Sequence, residues 1–271
     1  MTLVLSWFNR ESETTQPTIW TVADTMISDG LGSAITLEGA KLLEVPIRCK
    51  DLSTPSQHIY YQSQIGFAYA GSSLRAFNCF STLSVILTNL GGHTVRNQLP
   101  DAWSLLNIAR HVLQFYHIQD AVCEICLYGK CPKSGRLFIG TIKPKENVVP
   151  LEFVASLLDD SMQSLEYVML GAHKGEVKEM LDSRLKEVKD IGGLKYWRAP
   201  VRLLNDIIID KKFSDVGGNI QLNFVGTNHF HMTSAAVGGE MKFRNIDVFE
   251  DLPRMVGDCL IAINGMDFMR D

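Results

Sequence analysis

Apolar and polar positions divide the start of the chain into three extended segments. Thr2 to Asn9 is apolar, with β-branched or aromatic residues at several positions, and Thr18 to Ser28 repeats that character. The polar stretch Arg10 to Pro17 separates them, so the pattern predicts a β-hairpin with a rather long loop. Lys41 to Arg48 is a further predicted strand.

Helical periodicity follows in the next part of the chain. The short apolar run Ile65 to Ala70 stops at Gly71-Ser72-Ser73, where a serine is suited to cap a helix. Apolar residues then recur at spacings of three and four over 83–90 and again over 105–116. Two amphipathic helices in succession after strands indicate a helical layer over a sheet.

The second half repeats this order. Its predicted strands and helices are strand 121–128, strand 136–142, a short helix 151–161, strand 167–170, helix 177–188, helix 199–209, strand 216–225 and a pairing segment 229–233. No repeat, low-complexity tract or linker interrupts the chain. The order predicts one α+β domain over residues 1–271, with helices covering both outer faces of stacked sheets.

Composition narrows the class of protein. The formal charge of −4 gives no electrostatic reason to expect nucleic acid as a partner. No apolar stretch reaches the roughly 18 residues of a membrane-spanning helix, and the N-terminus lacks the basic region of a signal peptide. Six cysteines are scattered through 271 residues, which favours a reducing compartment. We therefore expect a soluble, cytoplasmic protein without a membrane partner.

Several short motifs follow one another in a specific order. The segments are Thr2 at the first strand, Val22-Ala23-Asp24-Thr25-Met26, Gly39-Ala40-Lys41-Leu42, Phe67-Ala68-Tyr69-Ala70-Gly71-Ser72-Ser73, Tyr167-Val168-Met169-Leu170-Gly171-Ala172 and Asp215-Val216-Gly217-Gly218-Asn219-Ile220-Gln221-Leu222. In this order the chain resembles the proteasome β-subunit family and its bacterial relatives, which are N-terminal-nucleophile hydrolases. The resemblance covers most of the chain and implies a four-layer αββα sandwich of two antiparallel sheets.

The resemblance also implies a catalytic arrangement without metal or cofactor. Thr2 is the nucleophile, and its own α-amino group is the base once Met1 has been removed, because an acylated nitrogen is no base. Lys41 supplies a positive charge that keeps the amine unprotonated, and Asp24 holds Lys41 in place. The backbone N–H of Gly71 faces the developing oxyanion.

Two features depart from the family pattern. Relatives often have Gly-Ser-Gly where this chain has Gly171-Ala172-His173, so a serine that supports the nucleophile's amine is missing. Ala172, His173 and Asp215 are therefore candidate supporting residues. The first hairpin loop is also longer than usual.

Simpler interpretations exist for most of these residues. Asp24 and Lys41 also fit an ordinary structural ion pair, and Gly71 fits a turn before a helix. Cys123, Cys126 and Cys131 suggest zinc, but positions 123 and 126 of a strand point to opposite faces, which favours buried thiols.

Two histidines give a further metal candidate. His229 and His231 share one face of a predicted strand, yet no partnering carboxylate is evident. Solvated or core histidines are the default interpretation.

The leading functional hypothesis is a threonine-type peptidase or amidohydrolase acting on a peptide or another amide. Family resemblance implies a ring-like or related homo-oligomer that encloses the active sites, with any ATPase partner left open. The alternatives are a catalytically silent proteasome-like scaffold or assembly subunit, and a small-molecule amide hydrolase of the same fold.

Overall fold

The structure is a computed structural model that describes most of the chain. The described residues are 2–11, 17–29, 32–53, 55–92, 98–116, 122–145, 151–159, 165–189, 193–226, 230–237, 240–243, 246–247, 250–251, 253–260, 263 and 265–267.

Strands and helices alternate in a mixed α+β order. The strands are β1 (Leu3–Asn9), β2 (Thr18–Asp24), β3 (Ile27–Ser28), β4 (Ala34–Thr36), β5 (Leu42–Asp51), β6 (Ile59–Gly71), β7 (Leu90–Gly92), β8 (Cys123–Lys130), β9 (Leu137–Pro144), β10 (Phe153–Asp159), β11 (Tyr167–Gly171), β12 (Ile220–Val225), β13 (Phe230–Val237), β14 (Glu240–Phe243), β15 (Ile246–Asp247), β16 (Met255–Val256), β17 (Cys259–Leu260) and β18 (Gly265–Asp267). The helices are α1 (Ser73–Leu87), α2 (Ala102–Phe115), α3 (Lys174–Val188), α4 (Gly193–Trp197) and α5 (Ala199–Ile209).

The chain divides into two compact units. Met1–Leu42 together with Gln163–Asp271 form the first, and Leu43–Met162 form the second. The first unit holds an eight-stranded sheet in the order β11-β1-β2-β12-β13-β14-β15, in which β18 pairs with β13. The second holds a six-stranded sheet in the order β10-β9-β8-β6-β5-β7.

Antiparallel pairing of β1 with β2 confirms the predicted first hairpin. The register runs from Val4 opposite Ala23 to Asn9 opposite Thr18. Both strands are buried along almost their whole length. Such strands read as nearly continuous apolar runs rather than alternating ones, as the sequence does here.

Apolar side chains from the sheet and two helices form the core of the first unit. Trp7 and Trp20 contact each other with ring centroids 5.9 Å apart. Helices α3 and α5 cover the same cluster with apolar residues at helical spacing, and the residues they bury there include Val177, Leu181, Leu204 and Ile207. The predicted helix 199–209 coincides with α5.

In the second unit, the predicted serine cap is confirmed. Ser72 precedes α1, and its side chain accepts a hydrogen bond from the Arg75 N–H. Asp101 caps α2 in the same way through the Ser104 N–H at 2.8 Å. Each cap satisfies a backbone donor that the first turn of a helix leaves unpaired.

The helix predicted over 151–161 is wrong, because this segment contains strand β10. It pairs antiparallel with β9, from Phe153 opposite Pro144 to Asp159 opposite Phe138. Its apolar residues fit either period over so short a run, and the free edge of β9 supplies backbone partners that a helix would forgo. The Thr141 and Ser156 hydroxyls, 2.6 Å apart, join the two strands further.

Two smaller differences concern boundaries. The strand predicted over 216–225 begins only at Ile220, because Gly217 and Gly218 turn the chain before it. The pairing segment predicted at 229–233 corresponds to β13, which pairs with β12 from Thr233 to Phe230. His229 itself lies outside the described residues, and of His231 only the backbone is described. Among the described helices, none is both long and apolar enough to cross a membrane.

Gly71 occupies a position that only glycine fits, which gives a first prediction. Its φ is +96°, and a Cβ there would lie 2.3 Å from the Val122 carbonyl oxygen. We expect Gly71→Ala to lower the free energy of unfolding by at least about 1–2 kcal/mol, the cost of the left-handed conformation before any steric clash. Urea unfolding followed by circular dichroism measures this change.

Gly175→Ala is the matched control. Gly175 lies in α3, and a Cβ there meets no atom within 4 Å. Alanine has the higher helix propensity, so this variant should be as stable as the parent or slightly more so. Equal stability of Gly71→Ala and the parent would contradict the assigned turn.

Candidate active site

Four strands of the first unit begin or end at the same end of its sheet. β1 begins and β11 ends there, since Leu3 lies opposite Gly171. β2 ends and β12 begins there too, since Ile220 lies opposite Asp24. Antiparallel pairing thus brings the residues beside Thr2 next to segments more than a hundred residues away in sequence.

Asp24 lies among these strand ends and is fully buried. Its carboxylate accepts hydrogen bonds from two backbone segments. Its Oδ1 accepts the Leu3 N–H at 3.0 Å, and its Oδ2 accepts the Gly217 N–H at 3.2 Å. Oδ2 also lies 2.9 Å from Lys41 Nζ. The carboxylate therefore joins the peptide bond that follows Thr2 to the ammonium group of Lys41.

Lys41 is as deeply buried as its partner. Besides Asp24, its ammonium donates to the Met26 carbonyl oxygen. The predicted contact between Lys41 and Asp24 is present, whereas hydrogen bonding between Lys41 and the Thr2 hydroxyl stays a prediction. The Asp24 carboxylate and the Met26 carbonyl together hold the Lys41 ammonium group in one position.

Burial and charge act against each other in this pair. Burial raises the pKa of Asp24, while the Lys41 charge and the Leu3 and Gly217 N–H groups oppose the rise. Burial lowers the pKa of Lys41, and the carboxylates of Asp24 and Asp215 oppose that change. Each partner thus offsets part of the desolvation of the other, and burial has the larger effect on both pKa values.

Gln221 fixes the segment that carries Lys41. Its Oε1 accepts the backbone N–H groups of Lys41 at 3.0 Å and Leu42 at 3.3 Å. Its Nε2 donates to the carbonyl oxygens of Gly39 at 2.7 Å and Asp24 at 3.4 Å. One buried amide therefore satisfies four backbone groups. The sequence prediction missed this role, because the only local signal is a polar residue among the apolar positions of β12, and Asn223 gives the same signal.

Thr25, the residue after Asp24, also satisfies backbone groups of neighbouring segments. Its hydroxyl donates to the Leu37 carbonyl oxygen at 2.5 Å and accepts the Asn219 N–H at 2.7 Å. Gly218 lies against the same hydroxyl, and a Cβ on it would come within 2.2 Å of Thr25 Oγ1. This close approach, together with a φ of +77°, explains the glycine at position 218.

Thr2 itself is buried, with 4% of its surface exposed. Its carbonyl oxygen accepts the Ala172 N–H at 3.1 Å, which brings the end of β11 to the start of β1. Thr2, Asp24, Lys41, Ala172, His173 and Asp215 all belong to the first unit, whereas Gly71 belongs to the second.

His173 and Asp215 form a second polar pair in this unit. The His173 Nε2 lies 2.8 Å from Asp215 Oδ1. The imidazole ring stacks on Phe213, with centroids 4.0 Å apart and planes inclined by 6°. The pair connects the start of α3 to the turn before β12.

The cysteine cluster has the character of a buried core. Cys123, Cys126 and Cys131 are all buried, and burial raises the pKa of the Cys123 thiol well above its ordinary value. Raised thiol pKa values disfavour the thiolate form that binds metals. Within the described ranges, no group of three or more histidine, cysteine, aspartate or glutamate residues is placed to hold a metal ion.

Comparison with known proteins shows the fold. No family model matches the chain, and no curated protein matches it. Among solved structures, Anbu (Gly-1 mutant) from Hyphomicrobium sp. strain MC1 is 15% identical with a TM-score of 0.53, covering 85% of this chain and 84% of its own. Anbu from Yersinia bercovieri, described as an ancestral beta-subunit, is 13% identical with a TM-score of 0.51. The match covers 82% of this chain and 81% of the Yersinia chain.

A third similar structure is the helical assembly of the Anbu complex from Pseudomonas aeruginosa. It is 12% identical with a TM-score of 0.51, covering 85% of this chain and 81% of its own. At such identities the likeness concerns the fold alone. It supports the proteasome-like type of fold that the sequence motifs indicate.

Proposed function

We propose that this chain is a threonine-type hydrolase of peptides or other amides, with Thr2 as its N-terminal nucleophile. The observation that carries the proposal is the position of Asp24. Its carboxylate holds the Leu3 N–H at 3.0 Å and the Lys41 ammonium at 2.9 Å, so a buried lysine is fixed beside the peptide bond of Thr2.

The reaction follows from these groups once Met1 is removed. The Thr2 hydroxyl attacks the carbonyl carbon of the amide while the α-amino group takes its proton. The positive charge of Lys41 disfavours protonation of the amine beforehand and stabilises the oxygen as its proton leaves. The amine then gives the proton to the leaving nitrogen, and water cleaves the resulting ester to restore Thr2.

The finer architecture is part of the same proposal. The two sheets would stack as a four-layer αββα sandwich, making residues 1–271 one domain. Gly71 would then direct its backbone N–H at the oxyanion. The likeness to Anbu structures over 82–85% of the chain supports this arrangement.

The proposal predicts a specific pattern of activity at Thr2. Thr2→Ala should abolish turnover because the attacking oxygen is lost, whereas Thr2→Ser should keep part of it, since hydroxyl and amine both remain. A residue retained before Thr2 should abolish turnover by blocking the base. The measurement is hydrolysis of fluorogenic peptide amides and of simpler amides by protein whose N-terminus is verified by intact mass.

Ser81→Ala is the control for this series, because Ser81 is an exposed hydroxyl on α1 and its removal should leave turnover unchanged. A threonine-directed covalent inhibitor should label Thr2 in the parent. Absence of both turnover and labelling in correctly processed protein would favour the scaffold alternative.

The buried pair gives a second prediction, which separates stability from catalysis. Lys41→Met leaves Asp24 buried without its charged partner, so we expect a loss of about 3–5 kcal/mol in the free energy of unfolding. Asp24→Asn with Lys41→Met removes both charges and should recover much of that stability. The double variant should remain inactive. Urea unfolding and amide turnover are measured on the same preparations.

Full activity of a stable double variant would show that the pair is only structural. Lys50→Met supplies the control, because Lys50 contacts Asn89 at the surface and its loss should change neither quantity appreciably.

Self-association is the remaining part of the proposal. The similar Anbu structure from Pseudomonas aeruginosa is described as a helical assembly, and the family resemblance implies a ring-like or related homo-oligomer. We expect light scattering after size exclusion to give a multiple of the chain mass, and electron microscopy to show closed or helical particles. A monomer at micromolar concentration would contradict this expectation.

A further inference from the structure

The His173–Asp215 pair has no task in the mechanism described above. Asp215 is almost fully buried, whereas 34% of the His173 side chain is exposed. The ring therefore lies with one end on a buried carboxylate and part of its surface toward solvent.

The contact with Asp215 determines which ring nitrogen carries the proton. A carboxylate only accepts hydrogen bonds, so at 2.8 Å the Nε2 atom must be the donor. In the neutral ring Nδ1 is then the acceptor and is available to take a second proton. By covalent structure Nδ1 is also the ring nitrogen closer to the main chain of residue 173.

The backbone conformation of His173 and the packing of its ring both limit its movement. Its backbone has a φ of +56°, a left-handed conformation that is uncommon for residues other than glycine. The ring stacks on Phe213 at 4.0 Å, and Lys212, beside Phe213, pairs with Glu176 of α3 at 2.8 Å. Non-glycine residues held in this conformation raise the energy of the folded state and cluster at functional sites.

The residue before His173 lies against the main chain of Thr2. Ala172 donates its N–H to the Thr2 carbonyl oxygen at 3.1 Å. Asp215 also acts on the other side of the site, because its charge raises the pKa of Lys41 against the effect of burial. The residue before His173 thus contacts Thr2, and the charge of Asp215 acts on Lys41.

We propose that His173, oriented by Asp215, is a proton-relay residue for Thr2. During acylation the α-amine passes the proton from the hydroxyl through a water molecule to Nδ1, and the imidazolium returns it by the same route to the leaving nitrogen. During deacylation the route takes the proton of the attacking water and gives it to the Thr2 oxygen as the ester breaks. The neutral ring becomes the imidazolium, which Asp215 stabilises, and no electron transfer or co-reactant is involved. This inference rests on the proposed function of Thr2.

A purely structural role is the competing interpretation, in which the hydrogen bond only ties α3 to the turn before β12. The variant His173→Gln separates the two. Its side-chain amide places an N–H near the former Nε2 and keeps the tie to Asp215, but it has no second nitrogen that accepts a proton. We expect its melting temperature to stay near that of the parent while kcat falls about 100-fold, with little change in KM.

His173→Gly supplies a second, independent variant. Glycine accepts the left-handed backbone without strain, and it leaves space over Phe213 for a free ring. We expect its kcat to fall similarly and to recover in part when imidazole is added. His111→Gln, an exposed residue of α2, is the control and should leave kcat and the response to imidazole unchanged.

The outcomes distinguish this inference from the function on which it depends. Parent protein that neither turns over peptide amides nor is labelled at Thr2 overturns the proposed function, and the relay with it. An active parent whose His173→Gln variant keeps full kcat overturns the relay alone. A fall in kcat that follows loss of thermal stability, without rescue of His173→Gly by imidazole, assigns the pair to structure and likewise overturns the relay.

Discussion

The buried contact between Asp24 and Lys41 is the constraint around which the first unit is arranged. Both side chains are fully buried, and desolvation of two charges is repaid only when geometry and additional hydrogen bonds are good. Asp24 meets this condition with the N–H groups of Leu3 and Gly217. One carboxylate consequently fixes the backbone at the start of β1 and in the turn that precedes β12.

The neighbouring polar residues follow from that requirement. A segment carrying a buried lysine must satisfy its own backbone groups, because a buried group without a partner costs about 1–3 kcal/mol. Gln221 does this for the segment around Lys41, and Thr25 does it for the turn before β12. The close fit of Gly218 against Thr25 then determines how β12 enters the sheet.

Local signals account for the parts of this structure that the sequence predicts. The first hairpin, the cap at Ser72 and helix α5 depend on periodicity or on neighbouring residues. The segment 151–161 was predicted wrongly because its apolar residues fit two periods, and only the distant edge of β9 decides between them. Gln221 escaped notice for the same reason, since its partners at Gly39 and Lys41 lie about 180 residues away in sequence.

The presence of a buried pair bears on function as well as on folding. Apolar residues of similar volume often replace buried ion pairs without loss of stability, so stability alone gives weak reason to keep Asp24 and Lys41. The same holds for His173, whose left-handed backbone raises the energy of the folded state. Two such costly features, the buried pair and the left-handed residue, occur near Thr2 at the same end of one sheet. Besides ordering the sheet, these features would give the proposed reaction at Thr2 a fixed charge beside its peptide bond and an imidazole held in one orientation.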